Sequence, residues 1–221
     1  MKKLLTLALV SLPMLASAQN MLTNGSFENG FAGWTLAPGN LQTNATTITY
    51  GVAAPYPTGA FGEAVTADNA AGNPGYDAVG THGAYFVDDF AKPETLTQQV
   101  SITNGTQYTF GFDAYLPANG FANAGDATFS ATVGGFTFAD FTVSQGSAQN
   151  WVHYSATGFG TGNGLVDFTF TFNTNMYPSK DVVIDRVYFA ATPAVPEPET
   201  YALMLGGLAA MGFVARRRRS V

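Results

Sequence analysis

The chain has 221 residues, a formal charge of −6, no cysteine and only 11% charged residues. The missing cysteines exclude a disulfide framework and thiolate metal or redox chemistry. Eighteen Phe, ten Tyr and two Trp exclude a wholly disordered chain, and the acidic balance argues against a nucleic-acid partner. The charges are unevenly placed. Six of the nine basic residues are Lys2, Lys3 and Arg216 to Arg219, at the two ends. Between them stand Lys92, Lys180 and Arg186 against thirteen acids from Glu28 to Asp185, so the body carries about −10.

In chain order, Lys2-Lys3, the apolar run Leu4 to Leu15 and the small residues Ala16-Ser17-Ala18 predict a signal peptide over 1–18, cut by signal peptidase. The alternative for these residues is a buried N-terminal helix. The body, 19–192, lacks a sustained 3.6-residue apolar period. The stretch Pro38 to Gly83 is rich in Ala, Gly, Asn and Pro and predicts long loops with one or two strands. Leu96 to Ile102 alternates and ends at the turn Asn104-Gly105. Thr106 to Tyr115 sets Tyr108, Phe110, Phe112 and Ala114 on one face. Ala127 to Val133 and Phe136 to Phe141 flank Gly134-Gly135, a hairpin signal. Asp167 to Asn173 sets Phe168, Phe170 and Phe172 opposite Thr169 and Thr171, and Val182 to Phe189 forms a last strand. Strands at this spacing without helices predict an all-β, two-sheet antiparallel sandwich.

The segment 193–221 follows another rule. Val195-Pro196-Glu197-Pro198-Glu199 is extended by its prolines. Thr200 to Ala215 is uncharged and, as a helix, spans roughly 24 Å. That is close to a bilayer core once Arg216, Arg217, Arg218 and Arg219 snorkel on the cytoplasmic side. Pro196, Glu197, Pro198, the apolar helix and the arginines together resemble the PEP-CTERM sorting signal of Gram-negative bacteria. That resemblance implies an exosortase-type processing protease as partner and transient anchorage in the inner membrane with the body in the periplasm. It further implies a final place at the cell surface or in the exopolysaccharide matrix of a biofilm. A plain tail anchor that is never cut is the alternative.

The body resembles jelly-roll carbohydrate-binding modules and related galactose-binding-like domains. The matching residues are Asn20 to Glu28 with Gly33-Trp34-Thr35, Leu96 to Val100 with Asn104 to Phe110, Trp151 to Tyr154, and Val183-Ile184-Asp185-Arg186-Val187. Asp185 alternates with Val183 and Val187, which puts a carboxylate among apolar neighbours that needs a partner. In the resembled modules the residues matching Glu28 and Asp185 bind a structural calcium, and Asn24 is a further candidate ligand. Pairing of a carboxylate with Arg186 or Lys180 is the alternative to Ca2+. Tyr50, Tyr56, Tyr76 and Tyr177 lie in Gly/Pro/Asn-rich stretches and are candidates for stacking on sugars, or else they plug loops onto the sandwich. Trp34 and Trp151 read as core. Asp88-Asp89, near Asp77, reads as a solvated turn, with a second cation site or a carboxylate pair as the alternative. His82 reads as a loop residue, His153 as a packed or surface strand residue, and neither has a partner at metal-ligand spacing. No nucleophile elbow, phosphate loop or dinucleotide fingerprint occurs. The reading is an exported, non-enzymatic surface protein associated with polysaccharide. The alternatives are a ligand-free structural or adhesive matrix protein and a hydrolase using two carboxylates.

Overall fold

Alternation with a period of two dictates where each strand turns its side chains. The computed structural model describes residues 18–37, 44–88, 93–174, 179–193, 205–212 and 216. The strands are β1 (Thr35–Ala37), β2 (Thr46–Thr49), β3 (His82–Phe86), β4 (Glu94–Ile102), β5 (Gln107–Tyr115), β6 (Ala127–Val133), β7 (Phe136–Thr142), β8 (Trp151–Phe159), β9 (Gly164–Thr174) and β10 (Val182–Ala191). A single helical turn, α1 (Ala118–Phe121), and a short 3-10 turn at Val143–Gln145 interrupt them. Two antiparallel five-stranded sheets result, ordered β1-β4-β9-β6-β7 (sheet A) and β2-β3-β10-β5-β8 (sheet B). Ala18–Thr192 forms one compact unit.

The aromatic alternation explains the core. Phe168, Phe170 and Phe172 on β9 and Phe110 and Phe112 on β5 all point between the sheets and are buried. Phe112 meets Phe170 edge-on at 5.0 Å, and Trp34 packs within 6.4 Å of Phe27, Phe168 and Phe170. Such pairs add about 0.5–1.5 kcal/mol each beyond area burial. The hairpin β6–β7 turns at Gly134-Gly135, both at positive φ, the conformation that glycine adopts without Cβ strain. The loop-rich region 38–83 contributes β2 and the start of β3, as its composition predicts.

Two features depart from simple alternation. First, the segment 50–81 lies on the outer face of sheet B and buries a second apolar cluster there. Ala60, Val65 and Ala70 pack against Tyr85, Tyr115, Trp151 and Val183. The Trp151 indole N–H donates to Thr66 O at 3.0 Å. Trp151 is therefore packed, but beneath this segment rather than between the sheets. Second, β10 bulges at Arg186, whose φ is +45°, and the register against β5 shifts by one between Asp185 and Tyr188. The extra residue flips the pattern. Val183 and Asp185 face outward before it, while Val187 and Phe189 face the core after it. The expectation that Asp185 and Val187 share a face is thereby corrected.

Candidate functional site

The cross-strand register assembles a polar row on the outer face of sheet B. Asp185 on β10 lies opposite Asp113 on β5, and Asp113 lies opposite His153 on β8. Two carboxylates in direct register would repel if both were charged, and the buried Asp113 needs a cation beside it. The bulge supplies it by turning Arg186 onto the same side as Asp185. The Arg186 guanidinium donates through Nε to Asp68, on the covering segment, at 2.5 Å and through Nη2 to Asp113 at 2.8 Å. A second Nη2 contact reaches Ala70 O at 3.2 Å. Asn73 Nδ2 donates to Asp113 Oδ2 at 2.9 Å, and His153 Nδ1 sits 2.6 Å from Asp113 Oδ1. His153 Nε2 continues the chain to the Tyr188 hydroxyl at 3.3 Å. Gly111, opposite Tyr188, leaves the room: a Cβ there would stand 2.8 Å from that hydroxyl.

Burial raises the pKa of two of these acids. Asp185 is wholly buried, and burial pushes its carboxyl up to about 9, against the pull of the Tyr50 hydroxyl and the Arg186 amide. Burial and the adjacent Asp113 raise Asp68 to about 6, although Arg186 opposes this. At neutral pH Asp185 is therefore a neutral acid. Asp68, Asp113 and Arg186 are locked to one another under the 50–81 segment. The arrangement straps that segment to the sheet. A carboxylate pair working on a polysaccharide instead needs an open groove between its two acids.

The three residues expected to hold calcium are otherwise engaged. Glu28 accepts the Thr81 and His82 amides at 2.7 and 2.8 Å and the Thr81 hydroxyl at 3.0 Å. Burial is the largest single influence and raises its pKa, but the Thr81 and His82 donors together outweigh it and hold the carboxyl below its usual value. Asp185 accepts the Tyr50 hydroxyl at 2.7 Å and the Arg186 amide at 2.6 Å. Asn24, at φ +55°, donates to Gly30 O and Ala32 O and accepts the Asn29 amide, so it organises the 24–32 turn. These N–H and O–H donors occupy part of the lone-pair capacity of each carboxylate. Among the described residues no group of three or more His, Asp or Glu is placed to hold a metal ion. Arg186 supplies positive charge to the neighbouring Asp68 and Asp113.

Among the described residues, Tyr50, Tyr56 and Tyr76 each pack onto a neighbouring ring. Tyr50 spends its hydroxyl on Asp185 and its ring against Trp151. Tyr56 stacks on Phe61 at 4.8 Å, and Tyr76 leans on Tyr188 at 5.3 Å. Tyr177 lies outside the described residues, as does Asp89. Asp88 is fully buried rather than solvated, and its backbone carbonyl accepts the Ser179 hydroxyl. His82 opens β3 instead of lying in a loop. Asp68, Asp113 and Arg186 escaped the sequence reading as a unit. An Asp amid Thr109, Gly111 and Tyr115 on the polar face of β5 was the available signal.

Concavities lie elsewhere. An apolar cavity of about 310 Å³ opens at one end of the sandwich, near Val133, Phe136 and Phe159. An open depression of about 560 Å³ lies on the outer face of sheet A, near Met21, Thr35, Thr97, Gln99 and Asp167.

Residues 205–212 are helical, and among the described residues no helix is long and apolar enough to cross a membrane. Pro196, Glu197, Pro198 and Arg217 to Arg219 lie outside the described residues, while Arg216 is described as exposed. No curated protein matches the chain in sequence. Among solved structures, TmCBM61 in complex with beta-1,4-galactotriose is similar at 16% identity and a TM-score of 0.50, over 79% of this chain and 99% of that one. The Stig cyclase Fisc from Fischerella sp. TAU, in complex with (3Z)-3-(1-methyl-2-pyrrolidinylidene)-3H-indole, is similar at 16% identity and a TM-score of 0.50, over 81% and 100%. A family 16 carbohydrate-binding module matches at 15% identity and a TM-score of 0.43, over 77% and 99%. The body has the jelly-roll fold, which modules and an enzyme share. Residues 194–219 match the PEP-CTERM protein-sorting motif, which indicates an exported, exosortase-processed protein.

Proposed function

We propose that the protein is a non-enzymatic component of the cell surface or extracellular matrix whose jelly-roll body binds extracellular polysaccharide. The reading rests on one observation above all: a sorting motif at 194–219 follows directly on a body like that of carbohydrate-binding modules. Signal peptidase and an exosortase are the processing partners. The C-terminal segment holds the precursor at the inner membrane of a Gram-negative cell until it is cut. The body's excess of acids favours neutral sugars over anionic polymers.

The test uses the exported protein recovered from its producing cells. Its migration is measured in native gels cast with and without the cells' own exopolysaccharide. Retardation supports the reading, and unchanged migration removes it for that polymer. A ligand-free structural role is the second reading. The tyrosine rings packed against Trp151, Phe61 and Tyr188 and the segment 50–81 lying across sheet B favour it. Mass spectrometry of the mature C-terminus separates a cut product from an intact anchor.

A further inference from the structure

The outer face of sheet A carries an array that no strand taken singly reveals. The registers set Thr35 opposite Thr97, Thr97 opposite Thr169, Thr169 opposite Thr132, and Thr132 opposite Thr137. Five threonines from five strands thus form one row. At about 4.8 Å per strand the row is roughly 19 Å long. A second row, Thr95, Thr171 and Ser130, runs beside it. Thr97 and Thr169 hydroxyls are 3.1 Å apart. These five strands contain no Lys or Arg, and the carboxylates they send to this face are Asp140 and Asp167.

The row ends in a built concavity. The depression of about 560 Å³ begins at Thr35 and Thr97 and is bordered by Met21, Gln99 and Asp167. That volume is within the range of small-ligand pockets. Gln99 Nε2 donates to Asp167 Oδ1 at 3.1 Å, so an amide and a carboxylate stand side by side. Together they retain both donor and acceptor capacity. Adjacent sugar hydroxyls need just such a mixed pair. Met21, 39% exposed, and the threonine methyls offer contact to the C–H faces of a sugar ring. The face is nearly uncharged, which suits a neutral chain. Neighbouring strands also twist by roughly 20–25°, so the row follows a curved line that a flexible polymer can track and a planar crystalline surface cannot.

We propose that sheet A, and not the strapped face of sheet B, carries the polysaccharide site. A neutral sugar chain seats in the Met21–Gln99–Asp167 depression and runs along the threonine row. This rests on the polysaccharide-binding reading above and assigns its surface.

The experiment compares retardation of the exported protein in native gels containing β-1,4-galactan, dextran, polygalacturonate or the cells' own exopolysaccharide. Thr97→Lys breaks the row at its junction with the depression, and the double variant Gln99→Ala/Asp167→Ala strips the mixed pair at exposed positions. Each is expected to weaken retardation on a neutral polymer by about tenfold, the equivalent of ~1.4 kcal/mol. Tyr76→Ala on the opposite sheet is expected to leave it unchanged. Wild-type melting behaviour in the double variant shows that folding is intact even if Thr97→Lys folds poorly. Full retention by the folded variants overturns the assignment and leaves polysaccharide binding standing. Loss in Tyr76→Ala alone moves the site to sheet B. Retardation by polygalacturonate alone overturns the neutral-chain proposal. No retardation of the wild type by any polymer overturns both the assignment and the binding reading.

Discussion

Replacing Asp185 by Asn should stabilise the protein at alkaline pH. The side chain is wholly buried, accepts the Tyr50 hydroxyl and the Arg186 amide, and faces Asp113 across the ladder. Asn keeps an acceptor for the Arg186 amide and a polar group for Tyr50 at nearly the same volume. The folded carboxyl titrates near 9 against an ordinary 3.8. The folded state therefore holds a proton that the unfolded chain releases. Stability from this group is complete below about pH 4 and is lost progressively as pH rises toward 9. At 1.36 kcal/mol per tenfold change in proton affinity, the ceiling on that loss is ~7 kcal/mol. Mutational values for burying polar groups put the realised part at roughly 1–3 kcal/mol. For a domain of this size, 2 kcal/mol moves Tm by about 4–8 °C. Thermal unfolding followed by circular dichroism at pH 5 and pH 9 measures it. Asp68, Asp181 and Glu94 are also raised, to about 6, 7 and 8, and titrate in both proteins. The difference between wild type and D185N isolates Asp185. A D185N protein that melts at or below the wild-type temperature at pH 9 would refute the reasoning.

Arg186→Met leaves Asp68 and Asp113 buried without their cation, at a cost of about 3–5 kcal/mol. Limited proteolysis should then cut first within 50–81, and an unchanged cleavage pattern would contradict the strap. Gly120→Ala tests a close approach: a Cβ at Gly120 would stand 1.6 Å from Asp181 Oδ1, whose carboxylate the Tyr85 hydroxyl holds at 2.8 Å. Overpacking there should cost about 1–3 kcal/mol in denaturant titration, whereas helix propensity alone would make alanine stabilising by up to ~1 kcal/mol. The Tyr50 hydroxyl and the Arg186 amide already occupy part of Asp185, so calcium binding there competes with them. Equal Tm in calcium and in chelator is expected, and a calcium-dependent rise that D185N abolishes would report their displacement.

The sandwich was legible because its aromatic core strands β5 and β9 follow one rule. On β5 and β9 every second residue from Tyr108 to Phe112 and from Phe168 to Phe172 is aromatic and inward. The turns Asn104-Gly105 and Gly134-Gly135 fix where the chain reverses. The site was less legible because its causes are not local. A single extra residue at Arg186 reverses the facing of Val187, and nothing in Val-Ile-Asp-Arg-Val marks it. Arg186 meets Asp68 across 118 positions, inside a stretch whose composition says only loop. The tyrosines of that stretch are polar enough to be exposed, yet their rings are claimed by Trp151, Phe61 and Tyr188. The threonine row needs four registers to be known at once, although Thr169 and Thr171 opposite the phenylalanines give one strand of it away.

The position of β10 in sheet B bears on how the body takes mechanical load. Thr192 is still hydrogen-bonded to Gln107 O, and the sorting motif begins at residue 194. One residue lies between these two positions in sequence. Any pull through that end enters β10 directly, a strand clamped by β3 on one side and by β5 on the other. Near the other end of the body, the Met21 amide and Asn20 Oδ1 bond to the carbonyl and amide of Phe189 on the same strand. Tension along β10 must shear the ladder from Val183 to Ala191 as a set instead of unzipping its bonds one at a time. The last strand before the sorting motif is thus the one best placed to resist being drawn out.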